Sequence, residues 1–597
     1  MANLFSRSEH TFHIPVMGTG FTIDTPLRVA KYGISSVISL VDDTLIEQMR
    51  KFHCHREGEP YEEISSRDGD ARARRITAYL NLIDCLVQRQ VEALRSSPFQ
   101  PGSEIMQYYE MLPENRLKQT FYDMLATTDP EQKTRLGEFL RRHAVPGSID
   151  VNIMTKLNRD IYRGGKKLAP EFSDALAALR GYANSSLRSS IIFSAGINRR
   201  LYNYITRFND FYPDENGIIK KKIVLKVSDY RSAEVQGRFL ARQGLWVSEY
   251  RVESGLNCGG HAFASNGQLL GPILEEFKRK KRELTQKLNV IYGKAMSSLG
   301  RHLHKETQKF RITVQGGIGT AEENQFLLKY FEVDSTGWAT PFLLVPEVVN
   351  LDKVHLKKLI DAASGDVFLS DASPLSIPFW NLRTSASEDA RRKRIEEAKP
   401  GSPCPKGFVT FNTEFSKHPI CIASRIYQKR KLQQLEKELL SAKQLSLLRE
   451  KVFAKSCICH DLAGNATLKN NIDPDATPAV CCGPSIIDFS KIATLQEMVN
   501  HIYGRLFLLT NSARPNMFIR ELSLNIDRLY NEIQEFSVGV LAATPKYLQK
   551  FKTNLLKGIE YYQELADQFV EEQRRIFLDD LKRLKEKVNA ISLEIAE

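Results

Sequence analysis

Twice in this 597-residue chain an apolar, β-branched run ends directly in a cluster of glycines. The first instance begins with Ile223-Val224-Leu225-Lys226-Val227. It continues through a helical pattern and Gly244-Leu245-Trp246-Val247-Ser248 to reach Asn257-Cys258-Gly259-Gly260-His261. The second is Ile312-Thr313-Val314-Gln315-Gly316-Gly317-Ile318-Gly319-Thr320. Strand, helix, strand and glycine loop, in that order, indicate a parallel α/β sheet. A histidine presented after glycines at the C-terminal end of a strand sits where (β/α)8 barrels carry their chemistry. The second loop lets backbone N–H groups approach a phosphate and passes it to the N-terminus of the next helix. Together the two loops point to a phosphate-bearing cofactor beside His261.

The order Lys226-Val227-Ser228, Ala233, Gly244, Gly259-Gly260-His261, Gly316-Gly317-Ile318 and Ala339-Thr340-Pro341-Phe342 resembles the nitronate monooxygenase family, which includes the FMN-dependent enoyl-acyl-carrier-protein reductases. Ile14-Pro15-Val16-Met17-Gly18 is similar to that family's first barrel strand, and Thr25-Pro26-Leu27 with Ala30 to the helix after it. Gly33-Ile34-Ser35-Ser36 leads into the second strand. The resemblance spans roughly residues 10–60 and 185–350. It implies an FMN-dependent oxidoreductase on a TIM barrel, acting on a small-molecule or acyl-carrier-bound substrate. The implied phosphate site is Gly316, Gly317 and Gly319 with Thr340. The implied flavin ring lies near Met17, Gly18 and Gly20, beside Gly259 and Gly260, with Lys226 at its electron-rich edge. His261 is the implied proton donor or base. Lys226 reads equally well as a salt-bridged barrel lysine. The chain departs from the pattern at Ala339, where the family has glycine, and at Asn257-Cys258, where the family often has Glu-Ala. The lost carboxylate leaves the substrate open.

Cysteine supplies a second signal. Six of the nine cysteines fall between positions 404 and 482: Cys404, Cys421, Cys457, Cys459, Cys481 and Cys482. They stand in turn-like contexts such as Pro403-Cys404-Pro405 and Cys481-Cys482-Gly483-Pro484. Clustered cysteines without an export signal indicate metal more often than disulfides. No Cys-x-x-Cys knuckle occurs, so ligands dispersed beside a flavin domain favour a [4Fe-4S] cluster relaying electrons, with zinc or reduced structural thiols as alternatives. The expected ligands are Cys404, Cys421, one of Cys457 and Cys459, and one of Cys481 and Cys482, with His418 and His460 as substitutes. An electron-donor protein is the partner such a cluster implies.

The periodicity divides the chain into five segments. Residues 1–65 read as the first part of the barrel and 66–188 as a helical insertion, with 3.6-residue runs over Ile76–Leu94 and Lys118–His143. Residues 189–366 read as the rest of the barrel with the FMN site, 367–493 as a cysteine-rich metal module, and 494–597 as a helical domain. Near the end, Leu581, Leu584, Val588, Ile591 and Ile595 form one apolar helical stripe suited to packing within its own domain.

Composition sets the remaining bounds. Hydrophobic content of 42% and charged content of 26% are those of a soluble globular protein. No apolar run is long enough to cross a bilayer, and the first residues lack a signal peptide's apolar stretch, so a cytoplasmic location is expected. The net charge of +13 rests on clusters such as Lys278-Arg279-Lys280-Lys281-Arg282, Arg391-Arg392-Lys393-Arg394 and Lys429-Arg430-Lys431. These read as solvated helix faces. They also leave open an alternative flavoprotein acting on RNA, in the manner of dihydrouridine synthases. A non-catalytic barrel with an assembly role is the third reading. Gly18-Thr19-Gly20 lacks the third glycine of a dinucleotide fingerprint, and no Walker-type loop occurs. Cys258 and His13 read as structural rather than catalytic, and Asp24-Thr25 as a helix cap before Pro26.

Overall fold

Strands rich in Val and Ile but punctuated by polar residues at every second position cannot lie flat with one face in water and still bury both sets. Closing them into a barrel places one set against the outer helices and the other in the lumen. The computed structural model describes residues 9–592 except Ala195, 264–265, 302–306 and Cys404. It contains eight parallel strands: β1 (Phe12–Ile14), β2 (Ser35–Ser39), β3 (Ile149–Met154), β4 (Ser190–Ser194), β5 (Lys222–Val227), β6 (Val247–Glu253), β7 (Arg311–Gln315) and β8 (Ser335–Gly337). Each pairs with its neighbours in sequence, and β8 pairs with β1 to close the ring. The fold is a TIM barrel with helical additions.

The lumen is stratified. Val37, Ile192 and Val224 form an apolar cluster of their own, separate from the main core. Around them the lumen is polar. Arg251 donates to Glu249 at 2.7 Å, as does Thr313 Oγ1. Burial pushes the Glu249 carboxyl up, but Arg251 and Arg311 more than offset this and hold it at about 2. His13 is buried in the same lumen, and that burial holds its imidazole well below the ordinary histidine value.

The helical insertion is shorter than the sequence pattern indicates. Helix Asp43–Glu57 follows β2, and four more helices, Ala71–Ser96, Glu104–Met111, Arg116–Ala126 and Pro130–His143, precede β3. The expected insertion over 66–188 therefore contains a barrel strand. Ile149-Asp150-Val151-Asn152-Ile153 alternates with period two, and its polar residues belong to the lumen side, where Asn152 accepts from Ser194. Gly147 is required where this strand enters, because a Cβ there would lie 2.1 Å from the Ile34 carbonyl oxygen. The cap expected at Asp24-Thr25 is also replaced. Thr25 Oγ1 donates to the Val348 carbonyl at 2.8 Å, and Asp24 is a buried partner of Arg28.

Beyond the barrel, β9 (Val367–Ser370) and β10 (Phe379–Leu382) form an antiparallel hairpin. Arg425–Leu435 and Ala442–Ala454 form two further helices. Helix Ile458–Lys469 then packs on the barrel mouth, and helices Met517–Ser537, Pro545–Leu565 and Glu571–Ala590 pack on one another. Leu581, Leu584 and Val588 are buried in the same core as the barrel helices, so the terminal stripe packs within its own chain; Ile595 lies outside the described residues. The C-terminal helices and residues 458–493 of the cysteine-rich segment share that core, while Phe408, Val409, Cys421 and Ala423 pack in a separate cluster with Leu157. Among the described residues no helix is long and apolar enough to cross a membrane.

Replacing Glu249 by Ala leaves Arg251 as an uncompensated lumen charge, and the expected loss is about 3–5 kcal/mol, read as a lower melting temperature. The pH dependence follows from the same pair. A carboxyl held below its ordinary value in the folded chain stabilises that chain above its unfolded pKa, and this contribution fades as pH falls through about 2.

Candidate active site at the barrel mouth

The C-terminal ends of the strands deliver Lys226, Glu253, Gln315 and Gly337 to one rim, as the alternation of β5 to β8 requires. Lys226 Nζ donates to Glu253 Oε1 at 2.8 Å, and Gln315 Nε2 donates to the same carboxylate. Lys226 is thus the salt-bridged barrel lysine, and its partner Glu253 takes up an acidic place at the rim that the sequence pattern did not mark.

Two cavities meet at this pair. A wide one of about 450 Å3 is lined by Lys156, Ile197, Arg231, Val235, His261 and Phe263, among others. A narrow one of about 70 Å3 is lined by Met17, Gly259, Gly316, Gly317, Ile318, Thr340, Gly483 and Ser485, among others. Both include Lys226, Glu253 and Cys258 in their walls, so they form one trough across the mouth.

The narrow end has anion-binding character. Gly316 and Gly317 adopt left-handed backbone, with φ of +110° and +81°, which turns the loop after β7. Among the described residues, no group accepts from the N–H of Gly317 or Ile318. Thr340 Oγ1 accepts from Gly483 N at 3.2 Å, which leaves its own proton to donate. A volume near 70 Å3 exceeds the share of about two water molecules and admits a phosphate group. The wide end falls within the roughly 300–1,000 Å3 of small-molecule pockets. These residues fit the phosphate of FMN at one end and its ring at the other.

Four expected cofactor contacts lie elsewhere. Gly319 lines neither cavity; its N–H donates to Glu323 Oε2 at 2.9 Å, and a Cβ there would strike the Arg514 guanidinium. The helix that follows this loop therefore carries its own carboxylate at its first turn. Gly18 and Gly20 lie under helix Ile458–Lys469, where Gly20 N donates to the Leu462 carbonyl at 3.2 Å. That helix covers the expected ring position over Gly20 and leaves the space beside Lys226 and His261. Gly260 also lies off the trough walls. A Cβ on Gly259 would lie 2.9 Å from Gly483 N, and one on Gly260 would lie 3.1 Å from Cys481 Sγ. These two glycines make room for a strap, residues 481–485, that crosses the mouth.

His261 lines the wide cavity. Its Nε2 is 2.7 Å from Ser373 Oγ, and its ring meets Phe379 edge-on. Burial, aided by the Lys156 ammonium, pushes its pKa down to about 4. The imidazole is therefore neutral at physiological pH. Cys258 is half-buried in the trough wall, and the desolvation it suffers there raises its thiol well above the ordinary value, which disfavours the reactive thiolate.

The cysteines divide into two places. Cys421 packs with Leu157, Phe408, Val409 and Ala423, with Cys459 at the margin. Cys457 N donates to Ser402 Oγ, and Ser402 N donates to the Ala423 carbonyl, which draws these segments together. Cys481 and Cys482 lie on the strap, where burial pushes both thiols up, Cys481 to about 12. Cys404 lies outside the described residues. Among the described residues no group of three or more His, Cys, Asp or Glu side chains is placed to hold a metal ion, so the expected iron–sulfur or zinc set is not assembled there. His460 is engaged with Asp461.

Several side chains of the basic clusters form ion pairs within the chain. Lys280 meets Glu276, Lys281 meets Asp334, Arg391 meets Glu388, and Lys431 meets Glu414.

The lowered His261 pKa has a measurable sign. The imidazole protonates in the unfolded chain near pH 6.5 but in the folded chain only near 4. Stability contributed by its neutral burial is full above pH 6.5 and declines as pH falls through about 4. A ring-proton titration by NMR is expected to show His261 midpoint near pH 4.

No family model matches this chain, and no curated protein matches it. Among solved structures, the enoyl reductase domain of MlnA from the macrolactin biosynthesis cluster of Bacillus amyloliquefaciens is similar over 68% of this chain and 89% of that one, at 14% identity and a TM-score of 0.31.

Proposed function

We propose that the protein is an FMN-dependent oxidoreductase whose reaction takes place in the trough at the barrel mouth, beside His261. The observation that supports this most is the continuity of a phosphate-sized end, lined by Gly317 and Ile318 whose N–H groups have no acceptor among the described residues, with a wide end that contains a histidine. Gly317, Ile318 and Thr340 would hold the phosphate, with Ser485 of the strap beside them. Lys226 and Gln315, both bonded to Glu253, would offer donors to the polar edge of the ring. FMN, when bound, supplies the two-electron transfer that no side chain of this site can perform.

The chain's own residues do the rest. Helix Ile458–Lys469 and the strap exclude water from one side of the mouth. His261 lines the wide cavity and is neutral at physiological pH, so it can hydrogen-bond a substrate oxygen there. Ile197, Val227, Val235 and Phe263 give that cavity an apolar wall, while Lys156 and Arg231 provide cations at its rim. A substrate with an apolar body and a polar reacting group suits such a space, and so does one delivered on a carrier.

Two variants test the reading. His261→Ala is expected to abolish turnover, by about 100-fold or more, while bound flavin is retained. Turnover unchanged by that substitution contradicts the role. Gly317→Ala places a Cβ 1.9 Å from Asn257 Nδ2 at a left-handed position, and it is expected to weaken FMN binding by about tenfold or more, measured by flavin fluorescence titration.

A further inference from the structure

The hydrogen bonding behind His261 determines which of its nitrogens carries the proton. Ser373 belongs to the segment after β9 and is fully buried. Its Oγ lies 2.7 Å from His261 Nε2 and accepts the N–H of Leu375 at 3.2 Å. A serine hydroxyl offers one proton and two lone pairs, and Leu375 takes one lone pair. Were Nε2 protonated, it would take the second lone pair and leave the hydroxyl proton buried with no acceptor among the described residues. With Nε2 bare, the hydroxyl donates to it and every polar atom at the contact is paired. The second arrangement wins, because an unmet buried donor loses its hydration without replacement. The ring is neutral at physiological pH, so its single proton then resides on Nδ1. Among the described residues Nδ1 has no partner, and His261 lines the wide cavity.

We propose that Ser373 is a positioning residue that locks His261 as the Nδ1–H tautomer, so that the imidazole meets the substrate as a hydrogen-bond donor rather than as a base. This rests on the trough being the reactive site. A neutral imidazole N–H is too weak an acid to surrender its proton, so its role is to hold an oxygen on which negative charge develops. Lys156, which shares the cavity wall, adds a positive charge near that oxygen. The substrate class that uses such a donor carries a carbonyl conjugated to the reacting carbons, where electrons arriving at carbon leave charge on oxygen. Proton abstraction from a saturated carbon, which needs a bare nitrogen facing the cavity, is not served.

The test uses the full chain labelled with 15N-histidine and long-range proton–nitrogen correlation spectra at neutral pH. His261→Gln identifies the signal. The expected pattern is a protonated Nδ1 and a bare Nε2 in the unsubstituted protein. Ser373→Ala is expected to shift His261 towards the Nε2–H form or a mixture, and Ser373→Thr to preserve the original pattern. A proton on Nε2 in the unsubstituted protein overturns the proposal, and so does a tautomer unaffected by Ser373→Ala. The readout needs neither flavin nor turnover. A protein that fails to bind FMN but shows the Nδ1–H form therefore refutes the cofactor assignment and leaves the tautomer lock standing.

Discussion

Everything at the mouth of this barrel depends on a buried chain of opposite charges that fastens the C-terminal helices to the loop after β7. Glu323, at the start of helix Ala321–Lys329, accepts from Arg514 at 2.8 Å. Arg514 lies 3.4 Å from Asp488, and Asp488 accepts from Arg520 at 2.9 Å. Glu323 also takes the N–H groups of Gly319 and Met517. Isolated charges at this depth would be prohibitively costly, and the pairing is tolerable only because nearly every lone pair is satisfied. The network is therefore exacting about geometry, and it fixes where residues 481–485 cross the barrel. Glu521 adds a second fastening, accepting from Ser254 Oγ at 2.6 Å and from Leu270 N at 2.8 Å.

That fastening decides the shape of the site. With the helix N-terminus at Gly319 neutralised by an internal carboxylate, the free N–H groups of the loop are those nearer the lumen, at Gly317 and Ile318. With the strap and helix Ile458–Lys469 over the side of Gly18, Gly20 and Thr340, the remaining open space lies towards β5 and β6. A barrel mouth, usually built from its own loops, is here finished by chain that arrives more than a hundred residues later. His261 shows the same division: its loop comes from the barrel, and its hydrogen-bond partner from the segment beyond it.

The barrel was legible because its strands end in glycines and its site residues lie close to them in sequence. His261, Gly316, Gly317 and Thr340 all reach the trough or its edge for that reason. β3 escaped notice because Asp150 and Asn152 make its pattern too polar for a buried strand. Only the presence of a polar lumen accounts for them. Glu253 was in plain view, and the alternation Glu249, Arg251, Glu253 would have placed it on the lumen side. Ser373, Gly483 and Arg514 had no local signal, since their roles are created by contacts across more than a hundred residues. The glycines at 260 and 319 were read as ligand contacts, but protein packs against each and neither lines the trough, whereas Gly259 both lines it and makes room for Gly483.

The central claim is that the trough holds FMN, and the most direct measurement is the absorbance spectrum of the purified full chain, before and after incubation with FMN and removal of the excess. The account predicts flavin bands that stay with the folded protein and are released as FMN on denaturation, one per chain. A colourless protein that takes up no FMN under those conditions contradicts it.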